Sequence, residues 1–172
     1  MINETAPDFI AKAYYNGNFK DLRLADYRGK WVVLFFYPAD FTFVCPTELE
    51  GFADDYQKFK DKNAEILSVS VDSEYVHKAW AESDQRISKV KYPLIADRKK
   101  EISRAYGVLN EASGNSHRGL FIIDPDGIIK YFVVTDDSVG RSTDETFRVL
   151  TALQTGGLCP VNWHEGKETL KV

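Results

Sequence analysis

The sequence predicts an α/β protein in which helices flank a mixed central β-sheet. Three observations carry that prediction. Short apolar runs alternate with stretches of helical periodicity along the chain. The run "WVVLFFY" at 31–37 is apolar at every position, as a strand covered on both faces requires. The turn "DPDG" at 124–127 joins two later runs, and its Pro-Asp-Gly chemistry favours an antiparallel hairpin.

The elements follow in order. The stretch "GNFKDLRLADYRGK" at 17–30 alternates enough to suggest a small polar N-terminal hairpin. Strands are predicted at 31–37, 65–71, 92–96, 119–124 and 128–135. Helices fill the gaps. After Cys45, the residues Leu49, Phe52, Ala53, Tyr56 and Phe59 share one face of a helix. Pro46 suits its first turn, where a missing N–H costs nothing, and Gly51 is a mild internal penalty. A second helix covers 74–82 with Val76, Ala79 and Trp80 inward, and a third covers about 99–106 and stops at Gly107. The fourth opens on "STDE" at 142–145, the pattern of a capping box. It buries Phe147, Leu150 and Leu153 and ends at Gly156-Gly157. This order fits a thioredoxin-like arrangement, although periodicity alone does not separate it from other small α/β folds. One domain over 1–172 is expected, with a core over about 1–155 and a C-terminal tail over 156–172.

Composition narrows the function classes. The chain has 172 residues, 44% of them hydrophobic and 28% charged, an ordinary balance for a globular domain. A formal net charge of −4 disfavours nucleic-acid and anionic-membrane partners, which need a basic surface. The start "MINETAPDF" lacks the basic and apolar regions of a secretory signal, and no apolar run has the length of a membrane span. A cytoplasmic protein is expected. The only cysteines are Cys45 and Cys159, and His77, His117 and His164 are scattered, so no metal-ligand spacing arises. From the count alone, two inert thiols remain an open reading.

The surroundings of Cys45 point elsewhere. "PADFTFVCP" at 38–46 carries the chain from the end of a buried strand to the start of a helix. A cysteine in a first helical turn faces unpaired N–H groups and the positive end of the dipole, and both favour thiolate over thiol. Thr42 can bring a hydroxyl to the same space, and Pro38 can shield it and stiffen the loop.

"YPADFTFVCPTE" resembles the active-site segment of peroxiredoxins, with the pattern Pro-x-x-x-Thr-x-x-Cys on Pro38, Thr42 and Cys45. The likeness extends over nearly the whole chain. "RGLFIIDPDG" resembles the strand that carries the family's active-site arginine, here Arg118, and "VGRSTDET" the segment with a second arginine, here Arg141. "CPVNWHEG" resembles the resolving-cysteine segment and assigns that role to Cys159. The set is similar to typical two-cysteine peroxiredoxins, the group of bacterial alkyl hydroperoxide reductase C.

The resemblance implies a thiol-dependent peroxidase. Cys45 attacks the hydroperoxide, Arg118 and Thr42 stabilise the transition state, and Glu48 orients an arginine. The sulfenic acid formed at Cys45 is captured by Cys159 of a second subunit, in a homodimer that assembles into a decameric ring. Cys159 lies in an irregular segment, expected to be mobile. Thioredoxin or a flavoprotein disulfide reductase is the implied electron donor, and no metal, flavin or haem is needed. A ring-forming holdase chaperone is the alternative or additional role. The sequence also departs from easily inactivated members. "AESDQRISKVK" before Tyr92 has none of their GGLG glycines, and "HEGKETLKV" after Trp163 has no Tyr-Phe pair, so resistance to overoxidation is expected. "NEASGNSH" at 110–117 is less acidic than the family's stretch, and His117 stays outside the expected site.

Overall fold

The computed structural model describes residues 1–171. Its seven-stranded sheet comprises β1 (Ile10–Tyr15), β2 (Asn18–Arg23), β3 (Trp31–Phe36), β4 (Ala64–Ser70), β5 (Leu94–Ala96), β6 (Arg118–Ile123) and β7 (Ile129–Thr135). The spatial order is β2-β1-β5-β4-β3-β6-β7. Strands β3, β4 and β5 run parallel, while β6 is antiparallel to β3 and β7 to β6. The sheet is therefore mixed, as expected. Its helices are α1 (Cys45–Asp54), α2 (Tyr56–Lys60), α3 (Glu74–Ser83), α4 (Glu101–Ala105) and α5 (Thr143–Thr155).

The period-2 alternation of the central strands divides the core in two. Val33 and Phe35 of β3 with Leu120 and Ile122 of β6 face one side, packed by Leu49, Phe52, Phe59, Trp80 and Leu150 from helices. Val32, Leu34 and Phe36 with Phe121 and Ile123 face the other, packed by Ile102, Tyr106 and Leu24. Each fully buried aromatic or leucine side chain contributes roughly 1.5–3 kcal/mol. The first face supports α1, so the helix that presents Cys45 rests on β3 through its own Phe52, whose ring stacks on Phe35 at 4.7 Å.

Several boundaries move. The N-terminal hairpin lies earlier than the 17–30 reading, because β1 and β2 turn on Asn16 and Gly17, both with positive φ. The residues that should have formed its second half, Leu24–Tyr27, make a 3-10 turn. The helix after Cys45 breaks at Asp55 into α1 and α2, yet Leu49, Phe52, Tyr56 and Phe59 all stay buried. On α3 the inward residues are His77 and Trp80, while Val76 is half-buried and Ala79 exposed. On α5 the Ser142 hydroxyl accepts from the Glu145 N–H, as the capping pattern implied, and Gly156 closes the helix with φ 67°. Beyond Leu150, its buried residues are Thr146, Val149 and Thr151, with Phe147 and Leu153 only half-buried.

Candidate active site

Four of the expected site residues meet at one end of β3. Cys45 is the first residue of α1 and is fully buried, with its sulfur at the positive end of that helix. One turn on, the Glu48 carboxylate points back beneath it. Arg118 opens β6, next to β3, and Arg141 lies on the loop between β7 and α5.

The geometry is that of a closed charge cluster. Arg118 Nη1 donates to Cys45 Sγ at 3.3 Å and to Glu48 Oε2 at 2.7 Å, and its Nε donates to the Asp137 carbonyl at 2.7 Å. Arg141 grips the same carboxylate: Nε and the backbone N–H reach Oε1 at 2.7 and 2.8 Å, and Nη2 reaches Oε2 at 2.9 Å. Its Nη1 donates to the Gly119 carbonyl at 2.6 Å, and its guanidinium lies 5.2 Å from the Phe35 ring centroid. All three charged side chains are at most 4% exposed. Burial alone would raise the Glu48 carboxyl, but hydrogen bonds and charge from Arg141, joined by the charge of Arg118, hold it below the usual range. Two guanidinium groups share one carboxylate, so the cluster presents an unmatched positive charge to the sulfur.

Pro38 and Thr42 sit on the loop between β3 and α1, both half-buried. The Thr42 hydroxyl donates to the Ala39 carbonyl at 2.8 Å, which leaves its lone pairs as acceptors. His117 is separate, with Nδ1 3.3 Å from the Asp137 carboxylate. Cys159 is separate as well. It follows the C-terminus of α5, half-buried, with Sγ 3.5 Å from Thr155 Oγ1 and 3.6 Å from the Ala152 carbonyl. A cleft of about 510 Å³ opens beside it.

The segment expected to be a mobile tail is packed against the domain. Trp163 is 3% exposed and its indole donates to the Lys167 carbonyl. Arg148 Nη1 donates to the Trp163 carbonyl at 2.9 Å, Leu158 bridges Leu170, and Lys62 pairs with Glu165. An aromatic anchor inside a Gly- and Pro-rich segment folds it back onto α5.

A family model described as the AhpC/TSA family matches residues 2–132. The chain belongs to the AhpC/TSA family. Relatives agree over nearly the full length: a peroxiredoxin from Cynops pyrrhogaster is 49% identical, covering 99% of this chain and 90% of that protein. The reduced 2-Cys peroxiredoxin of Plasmodium vivax superposes with a TM-score of 0.95 at 37% identity, covering 99% of this chain and 92% of that one. Enterococcus faecalis AhpC superposes at 0.89 with 44% identity, covering 92% and 98%. This peroxiredoxin is therefore an enzyme, a thiol-dependent peroxidase with a thioredoxin-like fold. No described helix is long and apolar enough to cross a membrane.

Sequence reasoning found every side chain of this peroxiredoxin's charge cluster. It missed the backbone acceptors, the carbonyls of Asp137 and Gly119, which carry no side-chain signal.

Proposed function

We propose that Cys45 of this peroxiredoxin reduces hydroperoxides and that Cys159 of a second copy resolves the product. The observation that carries the reading is the 3.3 Å contact between Arg118 Nη1 and Cys45 Sγ inside a cluster with surplus positive charge. A thiolate at Cys45 neutralises that surplus. Its lone pair attacks the nearer peroxide oxygen, the O–O bond breaks, and the departing oxygen takes up a proton and leaves as water or an alcohol. Negative charge moves from sulfur to the departing oxygen, where the Arg118 guanidinium is a donor that needs no reorganisation. The Thr42 oxygen accepts the hydrogen of the incoming hydroperoxide.

The sulfenic acid at Cys45 then meets the thiol of Cys159, releasing water and forming a disulfide. A dithiol donor, thioredoxin or a flavoprotein disulfide reductase, returns two electrons and two protons. Cys45 is fully buried, so disulfide geometry requires the first turn of α1 to open. That turn has no side-chain cap at Val44, which supports easy opening and, with it, resistance to overoxidation. The separate neighbourhoods of the two sulfurs within one chain support pairing between copies. The outer strand β7 and the apolar side chains of Phe41 and Phe43, 57% and 90% exposed, support a homodimer assembled into a decameric ring. The cytoplasm, with its reduced dithiol donors, is the compartment that suits this cycle.

The test is a non-reducing gel after one equivalent of hydrogen peroxide, with remaining thiols blocked. A disulfide-linked dimer that requires both Cys45 and Cys159 is expected. A monomer with both thiols intact would sink the reading.

A further inference from the structure

A second buried polar cluster lies under the active-site loop. His77 of α3 is fully buried. Its Nε2 is 3.1 Å from the Ile95 carbonyl, and its Nδ1 is 2.7 Å from Asp40 Oδ2. Asp40 is itself 6% exposed and lies between Pro38 and Thr42. Its other oxygen accepts from the Tyr37 hydroxyl at 2.7 Å, and its backbone N–H donates to Asp72 Oδ2 at 2.8 Å. Asp72 also accepts from the Ser70 hydroxyl, and the Ser116 hydroxyl donates to the Tyr37 carbonyl, two residues before Arg118.

Proton counting constrains this cluster. A carbonyl only accepts, so Nε2 carries a hydrogen. A second proton must lie between Nδ1 and Oδ2, because two bare lone pairs do not approach to 2.7 Å. The pair thus holds one shared proton. The pKa directions agree: burial pushes Asp40 up, and for His77 the burial penalty is outweighed by the Asp40 hydrogen bond and charge, with Asp72 adding to it.

The loop needs such a restraint. Phe41 takes φ 57°, a left-handed conformation that is unfavourable for a non-glycine residue. It is 57% exposed, with its ring 5.9 Å from Trp80, so packing alone does not impose the conformation. The bonds of Asp40 tether the residue immediately before it. The Thr42 hydroxyl, bonded to the Ala39 carbonyl, takes its direction from that backbone.

We infer that Asp40 and His77 are a positioning pair, whose buried hydrogen bond fixes the loop 38–42 and thereby aims the Thr42 hydroxyl at the peroxide. Neither side chain touches the reacting sulfur. The inference rests on the proposed peroxidase cycle.

The test uses the full-length reduced protein with hydrogen peroxide. Asp40→Ala removes both side-chain bonds. It should slow Cys45 oxidation on the order of a hundredfold, the effect of misplacing a catalytic group by about 1 Å. Alkylation of Cys45 by iodoacetamide, which needs no Thr42, should stay near wild type. Asp40→Asn keeps the shape, since its amide nitrogen donates to Nδ1 and its oxygen accepts from Tyr37, and it should restore most of the peroxide rate. Wild-type speed in Asp40→Ala, or an Asp40→Asn as slow as Asp40→Ala, would overturn the inference. Should Asp40→Ala not fold, Asp40→Ser serves in its place, being too short to reach His77. Proton NMR gives a readout free of activity. Wild type should show a strongly deshielded exchangeable proton assigned to His77 that Asp40→Asn lacks, and its absence from wild type would also overturn the shared proton. A wild-type protein inert to peroxide would instead sink the proposed function and leave the NMR arm to decide the proton.

Discussion

Cys45 and Cys159 carry the same side chain at opposite ends of two helices. Cys45 begins α1, fully buried, where N–H groups and Arg118 face the sulfur. Cys159 lies beyond the end of α5, half-buried, where its neighbours are a carbonyl and a hydroxyl. The sulfur of Cys45 receives a hydrogen bond from a buried guanidinium, whereas that of Cys159 meets acceptors, with Arg148 across its cleft. The contrast teaches that a thiol's part in a cycle is set by the helix end it meets.

The strongest way to break the contrast is to exchange the sulfurs for oxygen. Cys45→Ser should abolish peroxide consumption, whereas Cys159→Ser should still consume one equivalent before stalling, read by a peroxide-coupled dye. Equal behaviour of the two variants would erase the distinction. Next in size is Arg118→Ala, expected to slow Cys45 oxidation by about 10²–10³-fold. Glu48 keeps Arg141 in that variant, so its melting temperature should move little. Glu48→Ala acts the other way. It leaves two buried guanidinium groups unpaired and should cost roughly 3–5 kcal/mol in denaturant unfolding.

Acid provides a milder probe of the same carboxylate. Glu48 is held below the usual range, so the stability it lends is fully present above the ordinary glutamate value. It is lost as pH falls through the depressed folded value. Unfolding midpoints should therefore drop through the acid range in wild type and drop less steeply in Glu48→Gln. The smallest expected effect is at α5. Ser142→Ala leaves that helix as uncapped as α1, costing about 1 kcal/mol with no change in peroxide rate. A changed rate would mean that the two helices are coupled.

Much of this was legible in the sequence because it is local. The run 31–37, the Pro-Asp-Gly turn and the Ser142 cap each announce themselves within a few residues, and the structure has β3, the β6–β7 hairpin and α5 there. The misplaced first hairpin was legible too, since Asn16-Gly17 is a turn signal with both residues at positive φ. What stayed hidden is non-local. Glu48 meets its arginines across 70 and 93 residues, and nothing in the spacing says that one carboxylate serves both. His77 is not among the inward residues predicted for its helix, and its polar partner Asp40 lies 37 residues earlier. The docked tail was hidden for the same reason, because Gly, Pro and Asn suggest looseness while one Trp163 supplies the anchor.

That anchor turns the tail into a timer. In the proposed cycle Cys159 travels to a second copy, and Trp163 leaving its buried seat and Arg148 releasing the Trp163 carbonyl would free the segment to do so. The lifetime of the oxidised sulfur in that cycle then depends on this undocking as well as on the opening of the first turn of α1. Warmth should shorten it as steeply as it hastens unfolding, about 3–6-fold for each 10 °C, and Arg148→Ala should shorten it at every temperature. In that cycle the persistence of one oxidised thiol reports, in part, how firmly a single indole is held.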